Sequence, residues 1–118
     1  MHPVKLAVIG AGQIGQKHIA LIAKNAACQL VVIADSNPDQ KAIADRAGVR
    51  FYQNYLEMLE VTRPEGVIVA TSTPSHAEVG IACAERAIPL LIEKPITASL
   101  EEGRRLLETA AKHNVHIL

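Results

Sequence analysis

Gly10-Ala11-Gly12-Gln13-Ile14-Gly15 spaces its three glycines as G-x-G-x-x-G. The apolar run 4–9 precedes the string, and Ile14, His18, Leu21 and Ile22 follow it at helical spacing. Between a strand and a helix, Gly10 permits a tight turn. Gly12 lets the backbone approach a pyrophosphate, and Gly15 lets the helix pack on the strand. The amides of Gln13 and Ile14 fall where N–H groups lack partners and the helix dipole is positive, which suits phosphate oxygens. The competing reading is a glycine-rich turn without a ligand. Asp35 closes a second apolar run, 20 residues after Gly15. A carboxylate there accepts hydrogen bonds from ribose hydroxyls and repels a 2′-phosphate. No arginine stands between Asp35 and Arg46, although Lys41 is near. These features favour NAD over NADP. The alternative is a turn or helix-capping aspartate.

A second cluster comes late in the chain. Glu93-Lys94-Pro95 directly follows the apolar residues 90–92. A lysine set between a strand and a proline is held at a rigid place, where it can offer a cation or proton donor to a substrate oxygen. A solvated lysine paired with Glu93 fits the position equally well. Thr71, Ser72 and His76 follow the apolar run 66–70. The other histidines have plainer readings. His18 shares a helix face with Ile14 and Ile22 and is expected to pack or hydrogen-bond there. His113 and His116 straddle a helix end that Asn114 caps. No cluster has metal-ligand spacing, and no metal is assigned.

Apolar runs and helical patterns alternate along the whole chain and supply the frame for these residues. Strands are expected at 4–9, 30–34, 51–52, 66–70 and 90–92, with a sixth beginning at 116–118. Asn37, Pro38 and Gln40 form a helix start of capping-box type, and Gly48 ends that helix. A short helix covers 55–62, and Thr73-Pro74 opens another that runs to about Arg86. Ser99 and Glu102 make a capping box for the last helix, which carries Leu100, Gly103, Leu107 and Ala110 on one face. Right-handed crossovers between parallel strands put helices on both faces of one sheet. The expected architecture is a doubly wound α/β (Rossmann) parallel sheet in the order 3-2-1-4-5-6. Ligands of such sheets sit outside the carboxyl ends of the strands. Those ends carry Gly10, Asp35, Thr71 and Glu93-Lys94-Pro95.

Length and composition exclude other classes. A chain of 118 residues argues for one domain, 1–118. Aromatics are 3% against 49% hydrophobic residues, so the core is aliphatic. Twelve basic residues balance twelve acidic ones, which leaves no electrostatic footprint for nucleic acid. There is no polybasic patch, no apolar run long enough for a membrane span, and no signal-peptide plan at the N-terminus. Cys28 and Cys83 form no C-x-x-C pair and read as reduced thiols of a cytoplasmic protein. The chain stops inside an apolar run, so it is expected to be part of a longer protein.

Taken together, Gly10-x-Gly12-x-x-Gly15-x-x-His18, the acid at Asp35, Ala70-Thr71 ahead of His76-Ala77-Glu78, and Glu93-Lys94-Pro95 resemble one family. It is the glucose–fructose oxidoreductase/inositol 2-dehydrogenase/rhizopine catabolism (Gfo/Idh/MocA) family, and the motifs run in its order along the chain. The resemblance implies an NAD- or NADP-binding first domain. It also implies a second domain, absent here, that supplies most of the substrate pocket and the contacts of a homo-oligomer. It makes Lys94 the catalytic lysine that contacts a substrate hydroxyl, with Glu93 and Lys94 beside the nicotinamide ribose. Thr71, Ser72 and His76 line the cofactor, and the bond before Pro95 is often cis in this family. The activity implied is hydride transfer between nicotinamide and a sugar, polyol or related small molecule. Two other readings compete: an NAD-responsive regulatory module that has lost catalysis, and a domain for another adenylate such as coenzyme A. Lys94 argues against the first, and Asp35 against the second.

Overall fold

The computed structural model describes residues 2–118. At its centre β1 (Val4–Ile9) pairs in parallel with β2 (Cys28–Ala34) on one side and β4 (Gly66–Val69) on the other. β3 (Arg50–Tyr52) flanks β2, and β5 (Leu90–Ile92) flanks β4, giving the order β3-β2-β1-β4-β5. The expected sixth strand is not formed. Residues 116–118 run beside β5 and exchange backbone hydrogen bonds with Leu90 and Ile92, but only one bridge, Leu90 to Ile117, is made. The bonds of Leu90 with His116 and Leu118 complete that one bridge, and the bond from Ile92 to Leu118 is only half of a second.

Five helices cover the sheet: α1 (Gln13–Ala23), α2 (Lys41–Ala47), α3 (Tyr55–Thr62), α4 (His76–Glu85) and α5 (Leu100–Lys112). Strand residues alternate between the two faces. Ala7, Ile9, Val32, Ala34, Val67, Val69, Leu90 and Ile92 meet α3, α4 and α5 through Met58, Leu59, Val79, Cys83 and Leu106. Val8 and Ile68 meet Ile22 of α1, while Ile33 meets Ala44 of α2. No helix among the described residues is long and apolar enough to cross a membrane.

The helix ends follow their sequence signals with local changes. Asn54 accepts from the amides of Leu56 and Glu57, and Ser99 accepts from Glu102. Gly48 ends α2 at φ 72°, in the left-handed region. Asn37 caps a short 3₁₀ turn, Pro38–Gln40, by accepting from Asp39. The reciprocal half of the expected box is taken by Asp35, whose Oδ1 accepts the Asn37 amide. Thr73–Ser75 is likewise a 3₁₀ turn, after which α4 begins at His76.

Two helix faces differ in phase from their expected positions. On α1, Gly15 and Ile22 are buried, and His18 and Ile19 half-buried, whereas Ile14 and Leu21 are exposed. On α5, Leu106 and Ala110 are buried, but Leu100 and Leu107 face outward at 95% and 60% exposure. Small residues set both phases. Gly15 draws α1 onto β1, and Gly80 of α4 admits Leu106, whose Cδ1 would lie 3.0 Å from any Cβ placed there. Leu106→Ala should therefore destabilise the domain by about 2–5 kcal/mol through the cavity it leaves. Leu107→Ala should stay within about 0.5 kcal/mol. Urea denaturation of both variants checks this, and equal losses would contradict the assigned face.

Candidate functional site

The three glycines of the first loop do different work. Gly10 has φ 99°, and a Cβ on it would lie 2.6 Å from the carbonyl carbon and oxygen of Ala70. A Cβ on Gly15 would lie 1.8 Å from the Gly10 carbonyl oxygen. Both are demanded by the protein's own packing. A Cβ on Gly12 would meet nothing within 4 Å. The fold does not require this glycine; its bare backbone leaves room at the start of α1 for a group from outside. The helix end is open as well. α3 and α5 are capped by Asn and Ser side chains, but Gly12 caps α1 with no side chain. The first amides of α1 thus lack intrahelical and side-chain acceptors, the arrangement that binds phosphate.

Asp35, at the end of β2, holds the loop in place. Its Oδ2 accepts the Ala11 amide at 2.7 Å, and its Oδ1 accepts the Asn37 amide at 2.8 Å. The turn aspartate and the loop-facing acid are therefore one residue. An ionised carboxylate has about four lone-pair sites, so half of its capacity remains for ribose hydroxyls. Lys41 points away along α2, with Nζ 3.0 Å from Asp45 Oδ1. A cleft of about 450 Å³ opens beside these groups, lined by Gly10, Gly12, Asp35, Thr71 and Ser72 among others. The donor set, the open glycine and the cleft fit a dinucleotide.

Sequence reasoning missed part of this cleft. Gln53, Tyr55, Ser75 and Glu78 also line it. Gln53 follows the carboxyl end of β3, the one strand end that the sequence reading passed over. Burial pushes the Tyr55 phenol pKa up, with the charge of Glu78 adding to the effect. Ser75 Oγ donates to Thr71 Oγ1 and lies 2.9 Å from the Ser72 carbonyl, which orders the loop after β4.

His76 is 1% exposed. Its Nδ1 is 2.9 Å from the Pro95 carbonyl oxygen, and its Nε2 is 2.9 Å from that of Thr71. The loop after β5 is tied a second time, because His18 of α1 pairs with the Glu93 carboxylate. Glu93 is therefore not the partner of Lys94. Lys94 is exposed, and among the described residues no carboxylate lies within ion-pair distance of it. The Lys94–Pro95 bond is cis. Cys83 is buried, which pushes its thiol pKa up to about 12, and Cys28 is half-buried; both are free. Among the described residues, no group of three or more His, Cys, Asp and Glu side chains comes together to hold a metal ion.

Comparison with known proteins agrees with this geometry. The family model GFO_IDH_MocA, an oxidoreductase family with an NAD-binding Rossmann fold, matches residues 4–118. Rhizopine catabolism protein MocA of Rhizobium meliloti is 28% identical over 113 residues, covering 96% of this chain and 36% of its own. Myo-inositol 2-dehydrogenase of Thermotoga maritima is 30% identical over 114 residues, covering 95% and 34%. The WlbA dehydrogenase of Bordetella pertussis, solved with NADH and UDP-GlcNAcA, superposes with a TM-score of 0.94 at 26% identity. That match covers 98% of this chain and 36% of WlbA. The chain spans about a third of the length of the curated relatives it matches. With Gly10, Gly12 and the acid at the end of β2 lining one cleft and the family model matching residues 4–118, the chain belongs to the Gfo/Idh/MocA oxidoreductase family as an NAD-binding Rossmann domain.

Proposed function

We propose that residues 1–118 form the cofactor-binding domain of a dehydrogenase. The enzyme moves hydride between nicotinamide and a carbinol carbon of a sugar, polyol or related hydroxy compound. The observation that carries this reading is that two unused groups line one cleft at the strand ends, the open backbone of Gly12 and the half-used carboxylate of Asp35. Lys94 follows β5, exposed and with no carboxylate at ion-pair distance among the described residues. Relatives named as inositol 2-dehydrogenases, and a relative solved with NADH, support the class.

In this reading the first amides of α1, at Gln13 and Ile14, hold the pyrophosphate. Asp35 accepts from the adenosine ribose hydroxyls. Thr71, Ser72 and Glu93 line the path toward Lys94. Bound NAD supplies the hydride acceptor. The ammonium of Lys94 donates a hydrogen bond to the substrate oxygen as the carbinol carbon gives up hydride, and the hydroxyl proton passes to a base that the second domain supplies. A second domain supplies the rest of the substrate pocket and the contacts of a homo-oligomer. The first domain alone holds substrate too loosely for turnover, because hydride transfer depends on orientation. The free thiols of Cys28 and Cys83 suit a cytoplasmic enzyme.

Fluorescence titration tests the cofactor assignment. NADH should bind at least about tenfold more tightly than NADPH, since a 2′-phosphate would face Asp35. Gly12→Val should abolish binding while leaving the circular dichroism spectrum unchanged. Equal affinity for NADPH, or binding that survives in Gly12→Val, would contradict it. In the enzyme that carries this domain, Lys94→Ala should lower turnover by about 10²–10⁴ and leave NADH affinity nearly intact. Unchanged turnover would favour the regulatory reading.

A further inference from the structure

Among the described residues His76 is the buried polar side chain, and it touches two loops at once. The Thr71 carbonyl belongs to the loop after β4, which lines the cleft. The Pro95 carbonyl belongs to the residue next to Lys94. Both partners are carbonyl oxygens, which only accept, so each contact is a hydrogen bond where the ring nitrogen facing it carries a proton. With both nitrogens committed within the chain and the ring 1% exposed, His76 has no polar atom left to offer a cofactor. On the other flank, His18 holds Glu93. Lys94 therefore stands between two residues that are each tied to a helix, while its own side chain is exposed.

We propose that His76 is a positioning residue for Lys94. By strapping the Pro95 carbonyl to the Thr71 loop, it fixes where the lysine leaves β5. It touches neither cofactor nor substrate. The proposal rests on the reading of Lys94 as the substrate-contacting lysine.

The two ends of the strap can be cut separately. The amide nitrogen of an asparagine sits where histidine Nδ1 does, and that of a glutamine reaches toward the place of Nε2. His76→Asn keeps a donor for Pro95, whereas His76→Gln keeps one for Thr71. Two signals of the isotopically labelled chain report the outcome. They are the heteronuclear NOE of the Lys94 amide without ligand, and the shift of the methylated Lys94 amine on adding NADH. The wild type and His76→Asn should both show a rigid Lys94 amide and a shifted Lys94 signal. His76→Gln should lose both, with NADH affinity in each variant within about threefold of wild type.

Asparagine and glutamine variants that behave alike in the Lys94 signals would overturn the proposal, whatever their melting temperatures. Loss of NADH affinity in both would make His76 a cofactor ligand and overturn it too. A wild type in which the NOE pattern holds but NADH leaves Lys94 unshifted would remove the lysine from the cofactor site. The strap would then be a structural tie and not a positioning one.

Discussion

Helix α1 lies so close to the end of β1 that one methyl group on Gly15 would fall 1.8 Å from the Gly10 carbonyl oxygen. This approach fixes the rotation of α1 about its axis, burying Gly15 and Ile22 and leaving Ile14 outside. It also places the uncapped first turn of the helix at the sheet's carboxyl edge, next to Gly12 on the cleft. Because α1 is rigid, the same contact delivers His18, one turn further along, to the Glu93 carboxylate. A single packing constraint thus governs both the uncapped start of α1 and one flank of Lys94.

The polar groups at the strand ends divide into those that serve the protein and those left for a ligand. Asp35 uses one oxygen for Ala11 and one for Asn37, which ties the glycine loop to the turn after β2. Buried polar atoms cost free energy when unpaired, and His76 avoids that cost by spanning two backbone carbonyls. What remains open is the set a dinucleotide uses: helix amides, the free lone pairs of Asp35, and an exposed lysine. The scaffold is satisfied without ligand, so binding need not refold it.

The alternation of strands and helices, the strand order through β5 and the glycine loop were legible in the sequence, because period-two and period-3.6 patterns and turn residues are local signals. Helix phase was less so. Leu100 and Leu107 read as core from their apolar character, but Gly80 on a neighbouring helix decided for Leu106. A small residue across the interface leaves no trace in the helix that packs on it. The cleft was legible at Gly10, Asp35 and Thr71, which sit at strand ends. The His18–Glu93 pair and the Pro95 carbonyl on His76 were not, since they join residues 75 and 19 positions apart. Tyr55 and Glu78 entered the cleft for the same reason: topology brought α3 and α4 together above it.

A crystal structure of this chain soaked with NADH is the most direct measurement. The pyrophosphate oxygens should lie on the amides of Gln13 and Ile14 over Gly12, and the adenosine ribose hydroxyls on the free lone pairs of Asp35. The nicotinamide should reach the crevice beside Lys94. A dinucleotide bound away from the Gly10–Gly15 turn, or one whose ribose leaves Asp35 untouched, would contradict the account.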